Sequence, residues 1–152
     1  MTSINLGSGT EPYGDVRVDF IKSKNVTHVC DLNKPLPFKD ESFDEVYSKS
    51  VLEHIGNVKL FISESMRILK PNGKFWFRTD NASYLGYILK NHQDYISAYT
   101  DSSEDKHFYL YKPEHLQNLL GDWEVFYTCP SKKLFFLPKK FKCMHLEIRG
   151  FK

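Results

Sequence analysis

The chain has 152 residues, of which 41% are hydrophobic and 26% charged, and its net charge is +2. These values fit a soluble globular domain and exclude a disordered or fibrous chain; the charge is too mild to argue for nucleic acid by itself. A chain of this length buries about two thirds of the surface it exposes when unfolded, so a single domain over residues 1–152 is expected. Cys30, Cys129 and Cys143 show no C-x-x-C spacing, which points to reduced thiols rather than a disulfide framework or a zinc site. The start, MTSINLGSG, has no basic stretch before an apolar run, and no segment approaches the roughly 20 apolar residues of a membrane span. A cytoplasmic protein is expected.

In chain order, short apolar runs of strand length come first, at Ser3 to Leu6, Val16 to Phe20, Val26 to Leu32 and Phe43 to Tyr47. Val58, Phe61, Ile62, Met66 and Leu69 then form one stripe of an amphipathic helix, with Lys59, Glu64 and Arg67 off it. Lys70-Pro71-Asn72-Gly73 stops that helix, because proline disfavours helical geometry in the residue before it. A strand follows at Lys74 to Thr79. Tyr84 to Tyr99 has mixed helical spacing, Thr100 to Lys106 reads as a loop, and Pro113 to Leu120 as a short helix with proline in its first turn. Glu124 to Thr128 and Met144 to Arg149 close the chain as strands. Strands alternating with helices predict an α/β sheet.

The residues that carry chemistry begin at Asn5-Leu6-Gly7-Ser8-Gly9, directly after the first strand, with Asp19-Phe20 closing the second. Glycines at a strand exit let backbone approach a ligand, and an acidic residue ending the next strand can accept from two ribose hydroxyls. Asp31-Leu32 closes the third strand, where a carboxylate can accept from an adenine amino group while the leucine packs on the ring. Then come Leu36-Pro37-Phe38, the run Ser42 to Ser48, Val51-Leu52-Glu53-His54-Ile55, and Arg67-Ile68-Leu69-Lys70-Pro71-Asn72-Gly73.

The order of these pieces resembles the class I S-adenosylmethionine-dependent methyltransferases, in the group that reads like "LNLGCG", "VDL", "DLxxLPFxDxSFDxVxSxxVLEHI" and "RxLKPGG". The resemblance covers residues 4 to 81. It implies a Rossmann-like methyltransferase sheet, mostly parallel with an antiparallel last strand, and S-adenosylmethionine as cofactor. It further implies that the Gly7-Ser8-Gly9 loop passes beneath the methionine part, that Asp19 binds the ribose, that Asp31 and Leu32 flank the adenine, and that Ser48 lies beside the sulfonium, with Leu6 and Phe20 also at the cofactor. The implied activity is methyl transfer to an acceptor by direct displacement. A nicotinamide-binding fold is disfavoured because no third glycine opens a long helix after the first loop.

For a general base the candidates near strand ends are His54, Asp80, Tyr84 and His107. Glu53-His54 matches part of a Glu-x-x-Glu-His metal motif of small-RNA 2′-O-methyltransferases, but the first glutamate is Ser50 here, and no metal is expected. The segment Lys132 to Lys142 interleaves lysines with aromatics, so nucleic acid stands as an alternative acceptor, beside a non-catalytic cofactor-binding module. Ala82 to Lys112 is expected on the acceptor side of the pocket.

The loops Thr10 to Asp15 and Ile21 to Asn25 and the segment Asn33 to Glu41 are too short for the helices that normally cross over between parallel strands. Few helices are therefore expected on one sheet face, where Val16, Val18, Val26, Val29, Leu32 and Val46 would expose an apolar surface. From that follows the expectation of a homodimer, or of a partner covering the face.

Overall fold

The structure, a computed structural model, describes residues 1–84, 109–120, 123–128, 138–139 and 143–152. Its strands are β1 (Ser3–Leu6), β2 (Val16–Asp19), β3 (His28–Val29), β4 (Phe43–Lys49), β5 (Leu69–Asp80), β6 (Val125–Thr128) and β7 (His145–Phe151). Its helices are α1 (Val58–Ile68) and α2 (Pro113–Leu120), with a 3₁₀ turn at Leu52–His54 after β4. The seven strands form one sheet in the order β3-β2-β1-β4-β5-β7-β6. Neighbours from β3 to β5 pair parallel, and β7 runs antiparallel to both β5 and β6. The expected sheet, parallel but for its last strand, is the observed one.

Alternation along the strands sorts the two faces. Ile4, Leu6, Val18, Val46, Phe75, Phe77, Leu146 and Ile148 are buried on the face that carries α1, where Phe61 meets Phe77 with ring centroids 5.9 Å apart. Burying a side chain of this size contributes about 1.5–3 kcal/mol. Helix α1 starts on Asn57, whose side chain accepts from the Leu60 N–H at 3.2 Å, and ends where β5 begins. Its most buried stripe is Phe61, Glu64, Ser65 and Ile68, rotated from the predicted one. The rotation has a polar cause. Glu64 accepts the Leu36 N–H at 2.7 Å and is held by the Arg67 guanidinium, so a carboxylate occupies a position the hydrophobic pattern assigned to solvent.

The connections between β1, β2, β3 and β4 contain no helix, as their lengths required. The face they leave open is nevertheless not the apolar one expected. Val18, Val26, Leu32 and Val46 are buried, and Val29 is exposed at the sheet edge. The open face instead carries Arg17, Tyr47, Lys49, Trp76, Arg78 and Arg149, the neighbours in sequence of the buried residues. Tyr47 and Trp76, paired across β4 and β5, stack at 4.6 Å with rings 7° apart, and Tyr13 leans on Tyr47 at 4.5 Å. Burial and the Glu45 carboxylate that accepts its hydroxyl push the Tyr13 pKa up to about 12. An alternating pattern rather than continuous apolar runs is why, among the described residues, the face without helices shows no continuous apolar surface.

Two further differences concern strand ends and thiols. β3 is two residues long rather than the predicted Val26 to Leu32, because it lies at the sheet edge with both residues exposed. β5 begins at Leu69, its pairing with β4 interrupted by a register shift that absorbs Pro71, Asn72 and Gly73. Cys143 lies in a disulfide while Cys30 is a free thiol, which corrects the expectation of reduced cysteines throughout; spacing along the chain does not report distance in space.

Candidate functional site

At the carboxyl ends of β1, β2 and β4 lies a cavity of about 520 Å³. Its walls are Gly7 and Gly9 from the loop after β1, Asp19 to Ile21 after β2, Asp31 to Asn33 after β3, and Ser50, Val51, His54 and Ile55 after β4. The volume is within the range of small-molecule and cofactor sites, roughly 300–1,000 Å³.

The first loop is shaped by its two glycines, with φ of +75° at Gly7 and +52° at Gly9. They do different work. A Cβ on Gly7 would stand 2.2 Å from Val51 Cγ2, so this glycine lets the loop pack on the turn after β4. A Cβ on Gly9 would meet nothing within 4 Å, so its missing side chain leaves open space on the cavity wall. Both the Gly7 and Ser8 N–H groups donate to the Val18 carbonyl, at 2.8 and 2.9 Å, tying the loop to β2.

Asp19 completes the tie. Its Oδ2 accepts the Gly9 N–H at 2.7 Å and its Oδ1 the Ile21 N–H at 3.0 Å, so the carboxylate is fixed by backbone on both sides. Each oxygen keeps acceptor capacity for one more donor, which suits a pair of neighbouring hydroxyls. At the other end of the cavity, Asp31 Oδ1 accepts the Asn33 N–H at 2.9 Å, and that bond holds its pKa below the ordinary aspartate value. Asp31 is therefore ionised at neutral pH. The wall after β4 includes Ser50, a non-glycine residue at φ +54°, whose N–H donates to the Arg78 carbonyl at 2.8 Å. Such left-handed backbone costs roughly 1–3 kcal/mol and concentrates at ligand sites.

The structure thus brings Gly7, Gly9, Asp19, Phe20, Asp31, Leu32 and His54 together around one cavity. Leu6, Ser8 and Ser48 stand behind it: all three are buried, and the Ser48 hydroxyl donates to the Leu6 carbonyl at 2.8 Å. Asp80 is 5% exposed, 3.6 Å from His145 Nε2, and is not part of the wall; burial depresses the His145 pKa, so that ring is neutral at pH 7. The Tyr84 N–H donates to the Asn81 carbonyl at 2.9 Å and Tyr84 is not part of the wall, and His107 lies outside the described residues, as does most of Lys132 to Lys142. Ile21, Asn33, Ser50, Val51 and Ile55 also line the cavity; each adjoins a motif residue, and only sheet topology shows that all four loops converge.

Glu53 went unrecognised as a base candidate in the sequence. It is 1% exposed, accepts the Thr79 hydroxyl at 2.7 Å, and burial pushes its pKa up to about 7. Nothing in the periodicity marks it. Among the described residues no group of three His, Cys, Asp or Glu side chains is placed to hold a metal ion, and no helix is long and apolar enough to cross a membrane.

Against known proteins, the methyltransferase-domain family model matches residues 17–77. The mitochondrial ubiquinone biosynthesis O-methyltransferase of Rattus norvegicus is 33% identical over 79 residues, 52% of this chain and 21% of that protein. The chain therefore spans about a fifth of the length of this curated relative. A Thermotoga maritima S-adenosylmethionine-dependent methyltransferase, described as a possible histamine N-methyltransferase, superposes with TM-score 0.69 at 20% identity, covering 99% of this chain and 82% of that one. Phosphoethanolamine N-methyltransferase 2 of Haemonchus contortus in complex with S-adenosylmethionine gives TM-score 0.67 at 19% identity, covering 99% of this chain and 48% of that one. The strand order and the likeness to these solved structures show the Rossmann-like methyltransferase fold, and the methyltransferase-domain match covers β2 to β5, including Asp19 and the turn after β4.

Proposed function

We propose that the protein binds S-adenosylmethionine in the cavity around Gly7 and Gly9 and transfers its methyl group to an acceptor by direct displacement. The observation that carries this reading is the Gly9–Asp19 pairing: a carboxylate fixed by backbone, with acceptor capacity to spare, beside a glycine whose absent side chain opens the cavity. The cofactor supplies an electrophilic methyl group. Asp19 accepts from its ribose hydroxyls, Asp31 from the adenine amino group, and Leu32 packs on the ring. Leu6, Ser8 and Ser48 act from behind, by holding the loop and the end of β4 in place.

Direct displacement needs no nucleophile from the protein; holding two reactants in line is worth up to about 7–11 kcal/mol. Among the described base candidates His54 lines the wall, and in this reading it takes a proton from an acceptor hydroxyl or ammonium.

A cytoplasmic location and a homodimer are further proposals. The dimer's support is now an edge cleft of about 650 Å³ lined by Trp76, Trp123, Phe126, Arg149 and Phe151, residue types common at interface centres. Sedimentation at micromolar concentration tests it, and a clean 17.8 kDa species counts against it.

Calorimetry tests the cofactor reading. S-adenosylmethionine and its demethylated product should both bind saturably, and Asp19→Ala should weaken binding by about 1–3 kcal/mol. Binding of NADH without binding of S-adenosylmethionine would overturn it. Transfer of tritium from labelled cofactor into RNA, protein or small-molecule fractions of an extract then names the acceptor class, and separates an enzyme from a non-catalytic module.

A further inference from the structure

Among the described residues Arg78 is a half-buried arginine whose side chain meets no partner. Its Nε is buried and donates to nothing, and no carboxylate among the described residues lies within ion-pair distance of its guanidinium. Taking a guanidinium partly out of water is unfavourable unless an acceptor replaces the lost solvent. Its described neighbours on the sheet do not meet its guanidinium. Lys49 stands beside it in register on β4, with its ammonium engaged by Glu11, and Glu147 faces it across β7 without closing an ion pair.

The position adjoins the cofactor cavity. The Arg78 carbonyl accepts the Ser50 N–H at 2.8 Å, and Ser50 is part of the cavity wall; Lys49 is the residue before it. The side chains of Lys49 and Arg78 rise on the open sheet face, where no helix of the described chain covers them. A guanidinium offers donors in a planar fork that matches a carboxylate or phosphate, and a neighbouring ammonium adds charge without geometric demand.

We propose that Arg78, with Lys49 beside it, binds a carboxylate or phosphate group of the methyl acceptor on the open side of the cofactor cavity. The assignment to the acceptor rests on the methyltransferase reading; the anion site does not.

The test begins with inorganic phosphate and, separately, acetate, added at constant ionic strength to the whole chain. The ring of His145 is the reporter, since its pKa is held down by burial first and by the Arg78 charge second. Anion binding should move its titration upward, saturably, in the wild type. Arg78→Met should abolish the shift and remain folded, because removing an unpaired, partly buried charge is neutral or stabilising. Lys49→Met should weaken it several-fold. A shift that fails to saturate, or that persists in Arg78→Met, overturns the site.

Two further measurements separate its sources. Arg78→Met should bind S-adenosylmethionine within twofold of wild type; a tenfold loss would mean that the cofactor's own carboxylate occupies Arg78. If the wild type bound no S-adenosylmethionine, the functional reading would fail while the phosphate result stood. Finally, tritium from labelled cofactor should enter extract molecules retained on an anion exchanger, with labelling at least tenfold lower for Arg78→Met. Labelling of the unretained fraction instead would overturn the assignment to an acidic acceptor.

Discussion

The two glycines of the first loop should fail in opposite ways when replaced by alanine. In Gly7→Ala the new Cβ lands 2.2 Å from Val51 Cγ2 in a backbone at φ +75°. Val51 is β-branched and 7% exposed, so it has little freedom to turn away. Overpacking of this kind costs about 1–3 kcal/mol and left-handed alanine about 1–2 kcal/mol, giving roughly 2–5 kcal/mol in all. Gly9→Ala has only the conformational part, because its Cβ meets open space. That variant should lose about 1–2 kcal/mol of stability and at least tenfold in S-adenosylmethionine affinity, since the methyl group enters the cavity. Urea denaturation measures the first quantity and calorimetry the second. Val51→Ala removes the obstructing methyls, so combined with Gly7→Ala it should restore about 1–3 kcal/mol relative to additivity. The reasoning is refuted if Gly9→Ala binds the cofactor as wild type does, or if Gly7→Ala is the milder substitution.

Glu53 should make stability fall as pH rises, since its folded pKa of about 7 lies above the unfolded value. Its contribution is complete below about pH 4.5 and is lost as pH climbs through 7, a change of about 3 kcal/mol that Glu53→Gln should flatten in denaturation curves taken from pH 4.5 to 8. Arg67→Met should cost about 3–5 kcal/mol in urea denaturation by leaving buried Glu64 without its cation, and it also releases the Leu36 and Phe38 carbonyls. Arg67→Lys should rescue little of that loss, because an ammonium cannot span the same acceptors.

How much of this was legible in the sequence follows from what each signal depends on. That the glycine loop, Asp19 and Asp31 border one cavity is legible because each stands at a strand end, which hydrophobic runs mark well. Glu64 was misread because burial of a carboxylate depends on Arg67 and on the Leu36 N–H arriving from a different segment. The open face was misread for a related reason: loop lengths showed that it lacked helices, but only register shows that Arg17, Tyr47, Trp76 and Arg149 stand there together. Arg78 was not singled out at all. An arginine in a strand is unremarkable until its missing partner is seen.

Without crossover helices, the loops between β1 and β4 are held by side chains as well as by backbone bonds to the strands. Asp15 accepts the Ser3 N–H at 2.8 Å, and Asn25 donates to the Thr10 carbonyl at 2.6 Å. Arg17 is the centre of this arrangement, giving Nη1 to the Gly14 carbonyl at 2.6 Å and Nε to the Asn25 carbonyl at 2.5 Å. It thereby joins the loop before β2 to the loop after it. Arg17→Met keeps most of the stem and loses both bonds, so global stability should fall by about 1–3 kcal/mol. The local effect should be larger than the global one. Amide exchange should accelerate in residues 10–30 more than in β5 and β7, because the loops around β2 open as a unit when their shared clamp is gone. Uniform acceleration across the sheet would show that helices or sheet pairing, rather than these side chains, hold the loops, and the account of how the fold manages without its crossovers would fall with it.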